Sequence, residues 1–206
     1  FVLHLDTELP DLISQYGFWV YVFLFVVVFC ETGLVVTPFL PGDSLIFAAG
    51  ALAAMGSFDI WLLLAVFVVA AILGDTVNYW IGSVTGPRIF TEGSRFLKKK
   101  YLDQAHFFYE RHGGKAIFLA RFIPIIRTFA PYVAGMGTMN YRKFIAYNVA
   151  GAFAWVTIFL GLGYMFGDLP FVQDNFGALL IAMILISFVP LVLAWFLEWR
   201  KAKAGK

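Results

Sequence analysis

Two long apolar stretches of this chain are interrupted by prolines, and the interruptions constrain the fold more than any other feature. Phe18 to Val36 is apolar and continuous until Pro38-Phe39-Leu40-Pro41-Gly42-Asp43, after which Ser44 to Met55 resumes. Ala116 to Ile123 likewise runs into Pro124, Arg127 and Pro131 before Tyr132 to Thr138. A continuous helix does not pass two closely spaced prolines, because each lacks an amide donor and clashes with the preceding turn. The arms that follow the breaks are too short to cross a bilayer, which needs about 20 helical residues. Both segments are expected to be re-entrant helical hairpins.

The rest of the chain makes a membrane the expected solvent. Its 206 residues are 61% hydrophobic, 19% aromatic and only 14% charged, with a mean hydropathy of +0.83, far from the balance of a soluble domain. Ile60 to Thr85, Phe144 to Phe166 and Phe176 to Trp195 are long enough to span without interruption. Between Arg88 and Lys115, Phe96, Leu97, Tyr101, Leu102, Phe107, Phe108 and Tyr109 alternate with charges, which suits an amphipathic helix on the membrane surface. No Lys or Arg precedes Arg88; basic residues gather there and again from Arg200 to Lys206, so both stretches, and the C-terminus, are expected in the cytoplasm. The acidic N-terminal stretch does not read as a cleavable signal peptide. The lone Cys30 excludes a disulfide framework and a thiolate cluster.

The expected organisation is one all-α polytopic membrane domain over 1–206. Repeat 1 covers about 12–86 with a hairpin at 18–55, an amphipathic segment covers 88–113, repeat 2 covers about 114–167 with a hairpin at 116–138, and a C-terminal span covers 176–197. Gly56 and Gly137, Gly82 and Gly163, and Gly86 and Gly167 each lie 81 residues apart, which matches the order of the hairpins. With the basic middle stretch inside, one hairpin opens from each face, the geometry of an inverted repeat. Transporters are often built this way, with the substrate site where the broken helices meet.

Four ionisable residues stand in these apolar, broken segments: Glu31, Asp43, Arg121 and Arg127. Intramembrane charges are costly and are kept for function. Pro124 breaks the helix between the arginines, so both guanidinium groups can turn toward one cavity, and paired guanidiniums suit a phosphate through bidentate hydrogen bonds. Asp43 follows a Pro-Gly turn and precedes a helical run, a position that also suits an N-cap. Glu31 lies well inside an apolar helix and is a candidate proton carrier. Asp75, in Gly74-Asp75-Thr76-Val77-Asn78-Tyr79, is a further charge that can pair with an arginine or line the same cavity.

The runs Glu31-Thr32-Gly33 to Pro38-Phe39-Leu40-Pro41-Gly42-Asp43-Ser44, Gly74-Asp75 with Tyr79 and Gly82, and Arg121-Phe122-Ile123-Pro124 with Arg127-Thr128, Pro131 and Ala134-Gly135 resemble the DedA family over nearly the whole chain. His112-Gly113-Gly114-Lys115 and Ala130-Pro131 to Gly137 are closest to its bacterial DedA subgroup. The resemblance implies a multi-pass protein of the bacterial inner membrane with two opposed re-entrant hairpins, implicated in returning undecaprenyl phosphate across the membrane for envelope synthesis. It also implies two functional acids and two functional arginines, which fall on Glu31, Asp43, Arg121 and Arg127. The second acid varies in the family between Asp and Glu.

The expected function is therefore proton-coupled translocation of a polyprenyl lipid phosphate, with Arg121 and Arg127 holding the phosphate and Glu31 and Asp43 coupling to protons. Asp75, Tyr79, Pro38, Pro41, Pro124 and Pro131 support the site. The expected partners are the lipid phosphate and membrane lipids, without nucleic acid, and a homodimer is compatible with this. Alternatives are a proton-coupled antiporter of small cations or drugs, a phospholipid scramblase, and a membrane scaffold whose charges are structural salt bridges. No enzymatic activity is expected: Gly42-Asp43-Ser44-Leu45 and Asp103-Gln104-Ala105-His106 spell a hydrolase-like pair, but serine and histidine fall on opposite faces of the membrane. Neither a metal nor another cofactor is expected beyond the coupling proton, since His4, His106 and His112 lack ligand spacing.

Overall fold

The computed structural model describes residues 17–34, 42–89, 113–137 and 139–167, together with 111, 169, 170, 172 and 178. Pro38, Pro41, the predicted amphipathic segment apart from residues at its edges, and nearly all of the predicted C-terminal span lie outside the described residues. Six helices occur among those described: α1 (Phe18–Gly33), α2 (Gly42–Ala54), α3 (Ile60–Ile89), α4 (Lys115–Ala120), α5 (Pro124–Met136) and α6 (Tyr141–Gly167). No strand accompanies them.

The helix breaks follow local chemistry. α1 stops at Gly33, and Leu34 is extended at φ −108 and ψ 117. α4 gives way at Arg121, and Ile123 is extended at φ −113 and ψ 108, as a residue before proline is driven to be. Pro124 then opens α5, where its missing amide is not needed. The second expected break is not found: α5 continues through Pro131 to Met136. An internal proline removes one helical hydrogen bond and kinks the helix; here Pro131 is buried, as are Ala130 and Ala134 beside it. The second arm is therefore Pro124–Met136 rather than Tyr132 to Thr138.

Among the described residues, α3 and α6 are long and apolar enough to cross a membrane. Trp61 and Trp80 are both well exposed on α3; at 1.5 Å per residue they stand about 28 Å apart, close to the thickness of a hydrocarbon core. Aromatic residues of this kind collect at the two membrane interfaces. Large apolar side chains such as Phe18, Trp19, Phe153 and Met165 also face outward, which lipid rather than water accommodates. Inside, Leu24, Val28, Ile46, Leu63, Phe67, Trp155, Val156 and Leu160 form the main core.

The short arms pack across the molecule rather than on their chain neighbours. α2 makes its broadest contact with α6, and α5 makes its own with α3. Both contacts depend on glycine. A Cβ at Gly50 would strike the Leu160 carbonyl, and one at Gly163 would strike that of Phe47. In the other pair, a Cβ at Gly135 would strike the Tyr79 carbonyl, and one at Gly82 that of Tyr132. Phe47 and Gly50 precede Tyr132 and Gly135 by 85 residues, while Tyr79 and Gly82 precede Leu160 and Gly163 by 81. The backbone contact itself is thus repeated. Gly56 and Gly137 are not equivalent in the same way, since Gly56 has φ +82 and Gly137 has φ −77. α1 lies along α3 and α4 along α6, so the helices form two groups, α1-α3-α5 and α4-α6-α2.

Candidate functional site

The predicted charges stand at the ends of broken helices, where the helix dipole acts on them. Asp43 lies in the first turn of α2 and Arg121 directly after the last residue of α4; each has the sign that its helix end favours. Glu31 near the end of α1 and Arg127 in the first turn of α5 have the opposite relation. Those two need outside partners, and they find each other.

Arg127 donates to Glu31 through Nη2 and to Asp43 Oδ1 through Nη1 at 2.5 Å. Arg121 donates to Asp75 Oδ2 and to Asn148 Oδ1. Asn148 in turn donates through Nδ2 to the Ile72 carbonyl at 3.2 Å, tying α6 to α3. Trp155 joins the two arginine centres. Its indole nitrogen donates to Asp43 Oδ1 at 2.9 Å, and its ring lies 4.9 Å from the Arg127 guanidinium carbon and 5.8 Å from that of Arg121. Both distances suit a cation–π contact.

Three carboxylates thus meet two guanidiniums, which leaves one acid in excess. The Glu31 side chain is 2% exposed, whereas that of Asp43 is 30% exposed, so Asp43 is the acid on the open side. Glu31 Oε2 is buried without a hydrogen-bond partner. It packs against Gly42, where a Cβ would fall on the carboxylate itself. Asp43 does not act as the N-cap of α2: it lies inside the first turn and its Oδ1 is engaged by Arg127 and Trp155.

Thr32, Asp75, Arg121, Arg127, Thr128, Pro131 and Trp155 line a cavity of about 10 Å³ together with Ile117 and Ala130. That is room for roughly one water. The two arginines expected to share a cavity therefore do share one, with Asp75 on its wall, while Glu31 and Asp43 reach it through Arg127. Tyr79 stands apart from it. Its hydroxyl donates to the Met139 carbonyl and its ring stacks on Phe144 at 4.5 Å, bracing the α5–α6 connection.

Three residues of the site were not singled out by sequence: Trp155, Asn148 and Asn78. The two asparagines are fully buried in otherwise apolar helices, and an amide in such a place signals an interhelical hydrogen bond. Trp155 carries no comparable signal, because one tryptophan among many aromatic residues reads as core.

A VTT domain model matches residues 40–165. The chain is 54% identical over 193 residues to protein DedA of Escherichia coli (strain K12), covering 92% of this chain and 88% of that protein. It is 41% identical over 172 residues to an uncharacterized membrane protein of Mycobacterium leprae (strain TN), covering 82% and 77%. It is also 35% identical over 176 residues to inner membrane protein YqjA of Escherichia coli (strain K12), covering 84% and 79%. No solved structure matches the chain.

Proposed function

The chain belongs to the DedA family of VTT-domain membrane proteins, and from that premise we propose that it translocates a polyprenyl lipid phosphate, undecaprenyl phosphate, across the bacterial inner membrane, coupled to the proton gradient. The observation that carries this reading is Arg127, held by two carboxylates against the face of Trp155 on a cavity that it shares with Arg121. A guanidinium in that position can exchange a carboxylate for a phosphate without ever being left unpaired. Both ligands accept the same parallel N–H donors.

The helix pairs 18–55 and 116–138 act in this reading as re-entrant hairpins opening from opposite faces, with α3, α6 and the 176–197 segment as the full spans and the C-terminus in the cytoplasm. The lipid phosphate enters past Asp43, the more exposed acid, and engages Arg127 first and Arg121 second, while the isoprenoid tail stays in the bilayer. The small cavity requires the carboxylates to withdraw as the phosphate arrives. Protonation of Glu31 weakens its hold on Arg127, so proton uptake and phosphate binding assist each other. Alternation between faces then follows from motion of the α1-α3-α5 group against the α4-α6-α2 group, as in other inverted-repeat carriers. No bond in the lipid is made or broken.

Movement of undecaprenyl phosphate in proteoliposomes tests this. Arg127→Gln and Arg121→Gln should each abolish movement, and Glu31→Gln should remove its dependence on an imposed pH gradient; retained movement in both arginine variants would sink the proposal. A second reading, exchange of a small cation for protons, is favoured by the excess of acids over arginines. Cation exchange that survives Arg127→Gln, in vesicles that move no lipid phosphate, would select it.

A further inference from the structure

We propose that Asn78 is a positioning residue that sets the separation of Glu31 and Arg127 by holding the backbone on which each is carried. Its side chain is fully buried. One nitrogen, Nδ2, donates both of its hydrogens, to the Thr32 carbonyl at 3.1 Å and to the Thr128 carbonyl at 2.7 Å. Thr32 directly follows Glu31 and Thr128 directly follows Arg127. A single side chain on α3 therefore clamps the end of α1 to the start of α5 one residue away from the ion pair that joins them.

Few residue types can do this. The clamp needs two donors on one atom, no charge, and a length that reaches two carbonyls from a third helix. Aspartate supplies no donor when ionised, leucine supplies none, and serine supplies one. The acceptor side of the amide is the tell-tale: Asn78 Oδ1 is buried with no hydrogen-bond partner. Buried polar atoms are nearly always satisfied, so an apolar side chain of similar size would suit packing better at this position. An amide kept here at the expense of its own oxygen is kept for its two hydrogens.

The placement on α3 strengthens the case. Asp75 and Asn78 are three residues apart, so they are neighbours on one face of the helix. α3 thus presents Asp75 to Arg121 and Asn78 to the backbones carrying Glu31 and Arg127, and one rigid element references both arginine centres. Both carbonyls lie where the regular helical pattern is weakest. Thr32 is in the last turn of α1, whose final carbonyls lack helical donors, and Thr128 adjoins Arg127, whose own carbonyl Pro131 leaves without its helical donor.

The inference rests on the geometry of the Glu31–Arg127 pair and not on the identity of the cargo, so its test uses no transport assay. Thermal unfolding of the detergent-solubilised full chain is measured for the parent, Asn78→Leu, Glu31→Gln and the double variant. If Asn78 positions the pair, Asn78→Leu lowers the midpoint by several degrees in the parent and by less than half as much in the Glu31→Gln background, where the Glu31–Arg127 pair is gone. Equal shifts in the two backgrounds would mean that Asn78 only joins helices, and would overturn the proposal. Should Asn78→Leu fail to fold, the same cycle with Asn78→Ser, which keeps one donor, decides by the same criterion. Failure of lipid movement in the parent would remove the transport reading and leave this result standing.

Discussion

The two arginines of the site are chemically identical and structurally opposite. Arg121 ends a helix whose dipole favours a cation, meets one acid and one amide, and is 5% exposed. Arg127 begins a helix whose dipole opposes it, meets two acids from the other broken segment, and has one of those acids 30% exposed. The first arrangement is closed, with a carboxylate and a neutral amide that also ties α6 to α3. The second has an excess acid, an unpartnered carboxylate oxygen and an open side. A site that must exchange partners resembles the second, and a site that must hold two helix groups together resembles the first.

The largest effect that could break this contrast is on stability. Arg121→Gln leaves Asp75 buried without its cation, and removing one member of a buried ion pair costs about 3–5 kcal/mol. Unfolding in detergent should show it, and Asp75→Asn in the same chain should recover much of the loss. In Arg127→Gln the exposed Asp43 can turn to solvent and the buried Glu31, the proposed proton carrier, can take up a proton, so this variant should cost less stability while abolishing lipid-phosphate movement. If the two variants are equally unstable, the arginines are not divided in this way. The smallest effect is at their shared neighbour. Trp155→Phe keeps an aromatic face for both cations and loses only the bond to Asp43, about 1 kcal/mol, whereas Trp155→Leu also loses cation–π contacts of ~1–2 kcal/mol. Nearly equal midpoints for the two would show that the ring face contributes nothing.

The charged half of this site was legible in the sequence because charge in an apolar run is conspicuous. Glu31, Asp43, Arg121 and Arg127 stand out without any structure, and the proline breaks place them at helix ends. The pairing was not legible. Sequence sets the acids as one pair and the arginines as another, whereas in space Arg127 takes both acids and Arg121 takes Asp75. Pairing depends on which short arm packs on which long helix, and that is decided by close backbone contacts at Gly50, Gly82, Gly135 and Gly163. The glycine offset hinted at the repeat without revealing that the arms cross between halves. Pro131 misled because an interior proline can kink a helix without ending it, and α5 runs on through the buried Pro131 to Met136.

Competition between carboxylate and phosphate for Arg127 is the step on which the transport proposal depends, and binding measures it most directly. Undecaprenyl phosphate is titrated into the detergent-solubilised chain and into Asp43→Asn at the same pH. With one carboxylate withdrawn from Arg127, binding should tighten by about tenfold, or ~1.4 kcal/mol. Unchanged or weaker binding in Asp43→Asn would contradict competition, and with it the assignment of Arg127 as the residue that receives the phosphate.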